Sequence, residues 1–125
     1  VEPHDEEVLG NPEKYIIVTG GNIFFVKDEE KIIGCVALMK IEDGIFELTK
    51  MAVSPEYQGK KIGQKLMEHS LHFAKKQGWN HLIIFSNRKL ENAIYIYKKY
   101  DFKEIPIGKN NPYSRGVIKM RLDLA

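Results

Sequence analysis

The sequence lacks several features that would define a protein class. Its 125 residues include a single cysteine, Cys35, which excludes a disulfide framework and a cysteine-ligated metal site. No apolar run reaches membrane-spanning length and no signal peptide is visible, so we expect a cytoplasmic protein with no membrane partner. The net charge is only +2, which does not favour a nucleic-acid-binding protein.

The composition and the hydrophobic pattern predict one α/β domain over residues 1–125. Hydrophobic residues make up 43% and charged residues 29% of the chain, as in ordinary globular domains. Residues 1–14 are acidic and poorly periodic, and we expect one short helical turn within 6–9. The pattern predicts six strands at 15–18, 23–26, 31–40, 45–53, 82–85 and 117–124, with the last closing the sheet, and helices from about 62 to 77 and over 90–100.

Side chains outside the central stretch receive structural interpretations. Cys35 lies in an apolar run and is predicted to be a buried thiol. His69 and His72 have a spacing that could bind a metal, but no third ligand is apparent, so both are predicted to be surface residues and no metal is expected. Asp43-Gly44 predicts a hairpin turn before the strand at 45–53.

The stretch from Met51 to Leu66 has the composition of an anion-binding site. An apolar strand end leads to Ser54-Pro55, then to glycines 59 and 63 and lysines 60 and 61, and a helical pattern follows. Free N–H groups and the dipole at a helix N-terminus attract anions, and glycine lets a phosphate approach the backbone. The pattern therefore favours a pyrophosphate site over its alternative, a strand–turn–helix connection that binds nothing.

The same stretch resembles the Gln/Arg-x-x-Gly-x-Gly/Ala signature of the GNAT acetyltransferase superfamily, with its Val-x-Pro-x-Tyr lead-in. The G-x-G-x-x-G and P-loop strings are absent. Gln58 and Gly63 match the signature, whereas Lys61 occupies the first glycine position. We expect ordinary helical dihedrals at Lys61, because a positive φ would strain it.

A second motif strengthens the resemblance, which covers residues 23–124. The segment from Ala93 to Phe102 is similar to the family's Ala-Ile-x-Leu-Tyr-x-Lys-x-Gly-Phe motif. Asp101 stands in place of the motif's glycine, at a helix end that is predicted to be left-handed. Leu90 replaces a family asparagine, for which Asn87 or Asn92 could substitute. The resemblance implies a mixed, mostly antiparallel sheet of about six strands flanked by two main helices, with the family's N-terminal helices reduced or absent.

The resemblance implies transfer of an acetyl group from acetyl-CoA to a primary amine by direct attack in a ternary complex. The family splays its fourth and fifth strands apart, so that the backbone of Met51 and Val53 could pair with the pantetheine amides. The predicted cofactor contacts are Met51, Ala52, Val53, Gln58, Gly59, Lys60, Lys61, Ile62, Gly63, Gln64, Asn87, Asn92, Tyr97 and Lys99.

Two residues are candidates for proton transfer. Glu47 occupies the position at which histone-type relatives carry a general base, and it points away from Phe46 and Leu48. Its alternative role is a strand glutamate paired with Lys50 or another lysine. Tyr97 is the residue that the family uses as general acid toward the leaving thiolate, and its alternative role is a core tyrosine.

The acceptor is the least constrained part of the prediction. Tyr113 and Arg115 precede the last strand, and Arg115 could bind a substrate carboxylate or be an ordinary surface arginine. The acceptor is expected to be a small-molecule or peptide amine, and the protein a monomer or homodimer. A non-catalytic CoA-binding module is the main alternative function. A nucleic-acid-binding role for Lys60, Lys61 and Lys65 is disfavoured by nearby acidic residues.

Overall fold

The computed structural model describes residues 5–9 as backbone, and residues 15–107 and 116–124 in full. These residues form an eight-stranded sheet of order β1-β2-β3-β4-β5-β6-β8-β7 and two α-helices. The strands are Asp5–Leu9 (β1), Tyr15–Gly20 (β2), Ile23–Asp28 (β3), Lys31–Glu42 (β4), Ile45–Val53 (β5), His81–Asn87 (β6), Lys103–Ile105 (β7) and Val117–Asp123 (β8). The helices are Ile62–Gln77 (α1) and Glu91–Lys99 (α2).

The first five strands pair in order as an antiparallel meander, and tight turns join β2 to β3, β3 to β4 and β4 to β5. Gly21 (φ 66°), Glu29 (φ 56°) and Gly44 (φ 78°) supply the left-handed residues that two-residue hairpins require. The Asp43-Gly44 turn between β4 and β5 is therefore confirmed. The α1 crossover then makes β5 and β6 the parallel pair of the sheet, as the strand–helix–strand order predicts.

The sheet has two strands more than the sequence predicted. The helical turn expected within 6–9 is wrong, because Asp5–Leu9 is a strand that pairs antiparallel with β2. The open edge of β2 offers unpaired backbone donors and acceptors. Strand pairing by residues 5–9 satisfies these groups, and this outweighs the helical preference of that segment. The second addition is β7, the edge strand beside β8, so the last strand does not close the sheet.

The hydrophobic core lies between α1 and one face of the sheet. Leu66 and Met67 of α1 are fully buried, and the fully buried hydroxyl of Ser70 donates to the Leu66 carbonyl at 2.8 Å. A Cβ at Gly34 would lie in ordinary contact with Ile62 and Leu66 of the helix, at 3.5 Å, but only 3.3 Å from the Ala52 carbonyl oxygen of the neighbouring strand. The sheet residues of this core include Ile17, Phe24, Val26, Val36, Leu38, Phe46, Leu48, Leu82, Ile84 and Met120.

Two side-chain expectations change in the structure. His69 is not a plain surface residue, because its ring packs edge-on against Phe24 at 4.5 Å between centroids, whereas His72 is exposed. Cys35 is half-buried rather than buried, with its Sγ 3.5 Å from the Lys50 carbonyl oxygen.

Neither described helix is long and apolar enough to cross a membrane. Among the residues that the structure describes, no three His, Cys, Asp or Glu side chains come together as a metal-binding group.

Candidate active site

The site begins where β5 and β6 separate. These parallel strands pair only through Ile45, Phe46 and Glu47 of β5, although β5 continues to Val53 and β6 to Asn87. On its other side β6 pairs along its whole length with β8. Beyond Glu47, the edge of β5 that faces β6 is therefore free to bind another extended chain.

A cleft opens beside this free edge, between the end of β5, the N-terminus of α1 and the first turns of α2. It consists of two adjoining cavities of about 560 and 910 Å³, which share Gln58, Gly59, Asn92 and Ile96. The remaining lining residues are Met51, Val53, Tyr57, Lys61, Ile62, Gly63, Gln64, Lys89, Leu90, Glu91 and Ala93.

The N-terminus of α1 presents backbone donors to the cleft. The first helical hydrogen bond runs from the Lys65 N–H to the Lys61 carbonyl at 3.1 Å. Among the described residues, the N–H groups of 59–64 find no backbone acceptor. Gly59, at φ 82°, has no atom within 4 Å of where a Cβ would lie, so a ligand can approach the backbone there. The 16-residue helix adds a dipole that favours negative charge.

Lys61, which precedes the first helical residue, adopts a left-handed conformation. Its φ of 63° and ψ of 21° differ from the helical dihedrals that we expected for a lysine in this position. The left-handed region costs a residue with a Cβ about 1–2 kcal/mol. The glycine of the family signature would relieve this strain, so Lys61 holds the loop at a cost in stability.

Side chains hold the loop that precedes α1 in place. The Gln58 side-chain amide donates to the Val53 carbonyl at 3.2 Å and so ties the loop to the end of β5. The Tyr57 hydroxyl donates to Asp28 at 2.7 Å, and this hydrogen bond raises the pKa of Tyr57 to about 12. Lys60 is exposed, with its ammonium 5.4 Å from the centre of the Tyr57 ring.

Glu47 lies at the point where β5 and β6 separate. It is half-buried, and its neighbours Phe46 and Leu48 are buried, as expected for side chains on the opposite face. Met39 of β4 is its cross-strand partner. In the described part of the chain, Glu47 forms no ion pair with Lys50 or any other lysine. The role of Glu47 therefore stays a prediction.

Tyr97 lies in the second turn of α2, one turn after Ala93, which lines the cleft. It is half-buried, and its ring packs against Phe102 with 6.2 Å between the centroids. Burial raises the pKa of its hydroxyl above 10, so the group stays protonated at neutral pH. Among the described residues, the hydroxyl has no hydrogen-bond partner.

The other predicted contacts divide between the cleft and its surroundings. Asn92 lines the cleft, whereas the Asn87 side chain accepts the Lys89 N–H at 2.8 Å and stabilises a turn. Ala52 is exposed and outside the cleft lining. Lys99 lines a separate cavity of about 590 Å³. Tyr113 and Arg115 lie outside the described residues, so their assignment remains a prediction.

Several residues of the cleft wall are not among the contacts predicted from the sequence. Tyr57 belongs to the Val-x-Pro-x-Tyr lead-in, so its position in the motif could have identified it. Ile96 lies within the predicted second helix, where an isoleucine carries no signal for a ligand. The start of α2 and the two residues before it contribute Lys89, Leu90, Glu91 and Ala93, which carry no local signal for a ligand.

Comparisons with known proteins identify one family of related sequences. A family model described as acetyltransferase (GNAT) domain matches residues 19–104. An N-acetyltransferase of Schizosaccharomyces pombe is 27% identical over 122 residues, which cover 96% of this chain and 74% of that protein. One of Dictyostelium discoideum is 34% identical over 80 residues, or 64% of this chain. The matched region is 37% of the Dictyostelium protein's own length.

Solved structures show the same fold. A GNAT family acetyltransferase of Elizabethkingia anophelis with acetyl-CoA bound superposes with a TM-score of 0.71 and is 25% identical. The superposition covers 82% of this chain and 75% of that protein. A Bacillus acetyltransferase in complex with CoA superposes with a TM-score of 0.71 at 21% identity, covering 82% of this chain and 76% of that one.

Proposed function

Because the chain belongs to the GNAT acetyltransferase family, we propose that it transfers an acetyl group from acetyl-CoA to a primary amine. One observation carries the proposal: the free edge of β5 leads directly into the unbonded N–H groups at the start of α1. An extended arm followed by a pyrophosphate needs these two elements in this order.

The residues of the cleft fit acetyl-CoA in two parts. The N–H groups of 59–64, with the charge of Lys61 beside them, would hold the pyrophosphate. The backbone of Met51 and Val53, on the open part of β5, would pair with the pantetheine amides, and Asn92 could add a side-chain hydrogen bond from α2. Acetyl-CoA supplies the activated thioester, and the chain supplies binding and proton transfer.

Two proton transfers complete the reaction. An ammonium has no lone pair, so Glu47 accepts a proton from the amine before or during attack on the thioester carbonyl carbon. The new C–N bond forms and the C–S bond breaks, and the CoA sulfur takes the electron pair. Tyr97, whose hydroxyl is kept protonated by burial, then donates a proton to that sulfur.

The first test is the melting temperature with acetyl-CoA, with 3′-dephospho-CoA and ATP as controls. Acetyl-CoA at a hundred times its dissociation constant should add about 2.7 kcal/mol of apparent stability, whereas ATP should add little. Release of free thiol with a panel of amines then tests turnover. No shift with acetyl-CoA for the folded protein would contradict the proposal.

The role of Glu47 is tested by Glu47→Gln, with Glu30→Gln as the matched control in an exposed turn. Glu47→Gln should lower kcat/KM about a hundredfold at neutral pH, because a carboxamide cannot accept the proton. The loss should shrink as the pH rises and free amine becomes available. Equal activity of the two variants would remove Glu47 from the mechanism.

The second candidate is a CoA-binding module without turnover, and the strained Lys61 at the pyrophosphate site favours it. It predicts the same increase in melting temperature with acetyl-CoA and no release of thiol with any amine. The thiol assay therefore separates the two functions.

A further inference from the structure

The two faces of the sheet differ in what covers them. Phe24 contacts His69 and Phe73 of α1, so the side chains of its face lie under the helix. Ile23 is adjacent to Phe24 on β3 and projects from the opposite face. Among the described residues, no helix packs on that second face near Ile23, which is 43% exposed.

Exposed apolar side chains gather on this second face beside Glu47. Ile23 pairs with Ala37 of β4, and alternation places Met39 on the same face. Met39 is 50% exposed. We call Ile23 and Met39 the apolar patch. Met39 is the direct cross-strand partner of Glu47, so their Cβ atoms are about 4.5–5.5 Å apart.

This arrangement matches an amine that carries an apolar substituent. An acceptor whose ammonium pairs with the Glu47 carboxylate has its nearest carbon atoms within reach of Met39. The flexible methionine thioether adapts to aliphatic and aromatic partners alike. The patch comprises two half-exposed side chains, whose combined area is far less than the roughly 800 Å² per partner that a stable dimer buries. A small acceptor group therefore fits it better than a second copy of the chain.

We propose that the apolar patch sets acceptor specificity and selects primary amines whose side chain is apolar, such as a leucine-like amino-terminal residue. This inference rests on the proposed function, since Glu47 must face the reacting amine. Met39 is the specificity residue, because it is the patch member directly opposite Glu47.

The test compares kcat/KM for leucinamide and glycinamide, which present the same amine and differ in the side chain. Free-thiol release with saturating acetyl-CoA is the readout. The native chain should prefer leucinamide about tenfold, as expected for an aliphatic group on a partly open surface. Met39→Gln, which keeps the side-chain length, should reduce that preference to threefold or less. Ile32→Gln, 56% exposed at the other end of β4, is the matched control and should retain it.

Several outcomes would overturn the inference. Turnover with equal kcat/KM for both amides would overturn the specificity of the patch while leaving the proposed function in place. An increase in melting temperature with acetyl-CoA but no thiol with either amide would overturn the proposed function and this inference together. Light scattering that shows a dimer in the native chain and a monomer in Met39→Gln would assign the patch to self-association instead.

Discussion

The two helices form opposite walls of one cleft and differ in how they are held. Helix α1 buries Ile62, Leu66, Met67, Ser70 and Ala74 against the sheet, whereas α2 has no fully buried residue. The short α2 is held by half-buried contacts such as Tyr97 on Phe102, and by the Tyr100 hydroxyl, which donates to Glu68 of α1 at 2.7 Å. The helix that presents the anion-binding donors is therefore part of the core, and the helix that carries Tyr97 is not.

This difference separates stability from function along the chain. A helix fixed by core packing keeps its N-terminal donors in place without a ligand, which is the preorganisation that anion binding requires. A helix with little burial contributes less to folding and can be substituted with smaller effects on stability. Substitutions in α1 should therefore act mainly on folding, and those in α2 mainly on binding and turnover.

The largest expected effect is on the stability contributed by α1. Leu66→Ala should lower the free energy of unfolding by about 2–5 kcal/mol, because it leaves a cavity at a fully buried position. Ile96→Ala in α2, at a half-buried position, should lower the free energy of unfolding by only about 1 kcal/mol. Its main effect should be weaker binding of acetyl-CoA, because Ile96 lines the cleft. Urea unfolding measures the stability of the two variants, and equal losses of stability would remove the distinction between the helices.

The next effect is on catalysis by α2. Tyr97→Phe should lower kcat about a hundredfold, because the thiolate then leaves without its proton donor. Its free energy of unfolding should stay within about 0.5 kcal/mol, since the hydroxyl has no described partner to lose. Tyr95→Phe, at a position 72% exposed on the same helix, is the matched control. Unchanged kcat in Tyr97→Phe would leave the core-tyrosine interpretation of this residue.

A smaller effect concerns the backbone at the start of α1. Lys61→Gly should raise the free energy of unfolding by about 1 kcal/mol, because glycine adopts φ 63° without steric cost. Lys60→Gly removes the same charge one residue earlier, where φ is not positive, and should be neutral or destabilising. Thermal unfolding distinguishes them, and a lower melting temperature for Lys61→Gly would show that the lysine side chain outweighs the strain.

The smallest effect concerns the contact between the two helices. Burial and the hydrogen bond to Glu68 raise the pKa of Tyr100 to about 12. The folded state thus holds this proton more tightly than the unfolded state, whose tyrosine pKa is about 10. The stability that the protonated Tyr100 hydroxyl contributes is complete below pH 10 and is lost as the pH rises toward 12.

Tyr100→Phe removes this contribution. It should lower the free energy of unfolding by at most about 1 kcal/mol at pH 8, and by less at pH 11. Urea unfolding at the two pH values measures the change. A loss that is the same at both would show that the hydroxyl acts through packing and not through its hydrogen bond.

The sequence by itself determined the local structure. The Asp43-Gly44 turn, the start and end of α1, and the left-handed Asp101 (φ 73°) after α2 all follow from residues within a few positions of one another. Turn chemistry, helical periodicity and capping act over that range, so short motifs suffice to predict them. The lead-in and the glycines near position 60 likewise predicted a helix start with free donors.

Only the tertiary structure decided how distant segments meet. The pairing of β1 with β2 overrode a weak helical tendency, and β7 took the edge beyond β8 because an unpaired strand edge was available there. The left-handed Lys61 and the separation of β5 from β6 after Glu47 depend on where α1 and β8 pack. Strand pairing satisfies backbone groups that are far apart in sequence, so no local pattern encodes which edge stays open. That open edge creates the cleft.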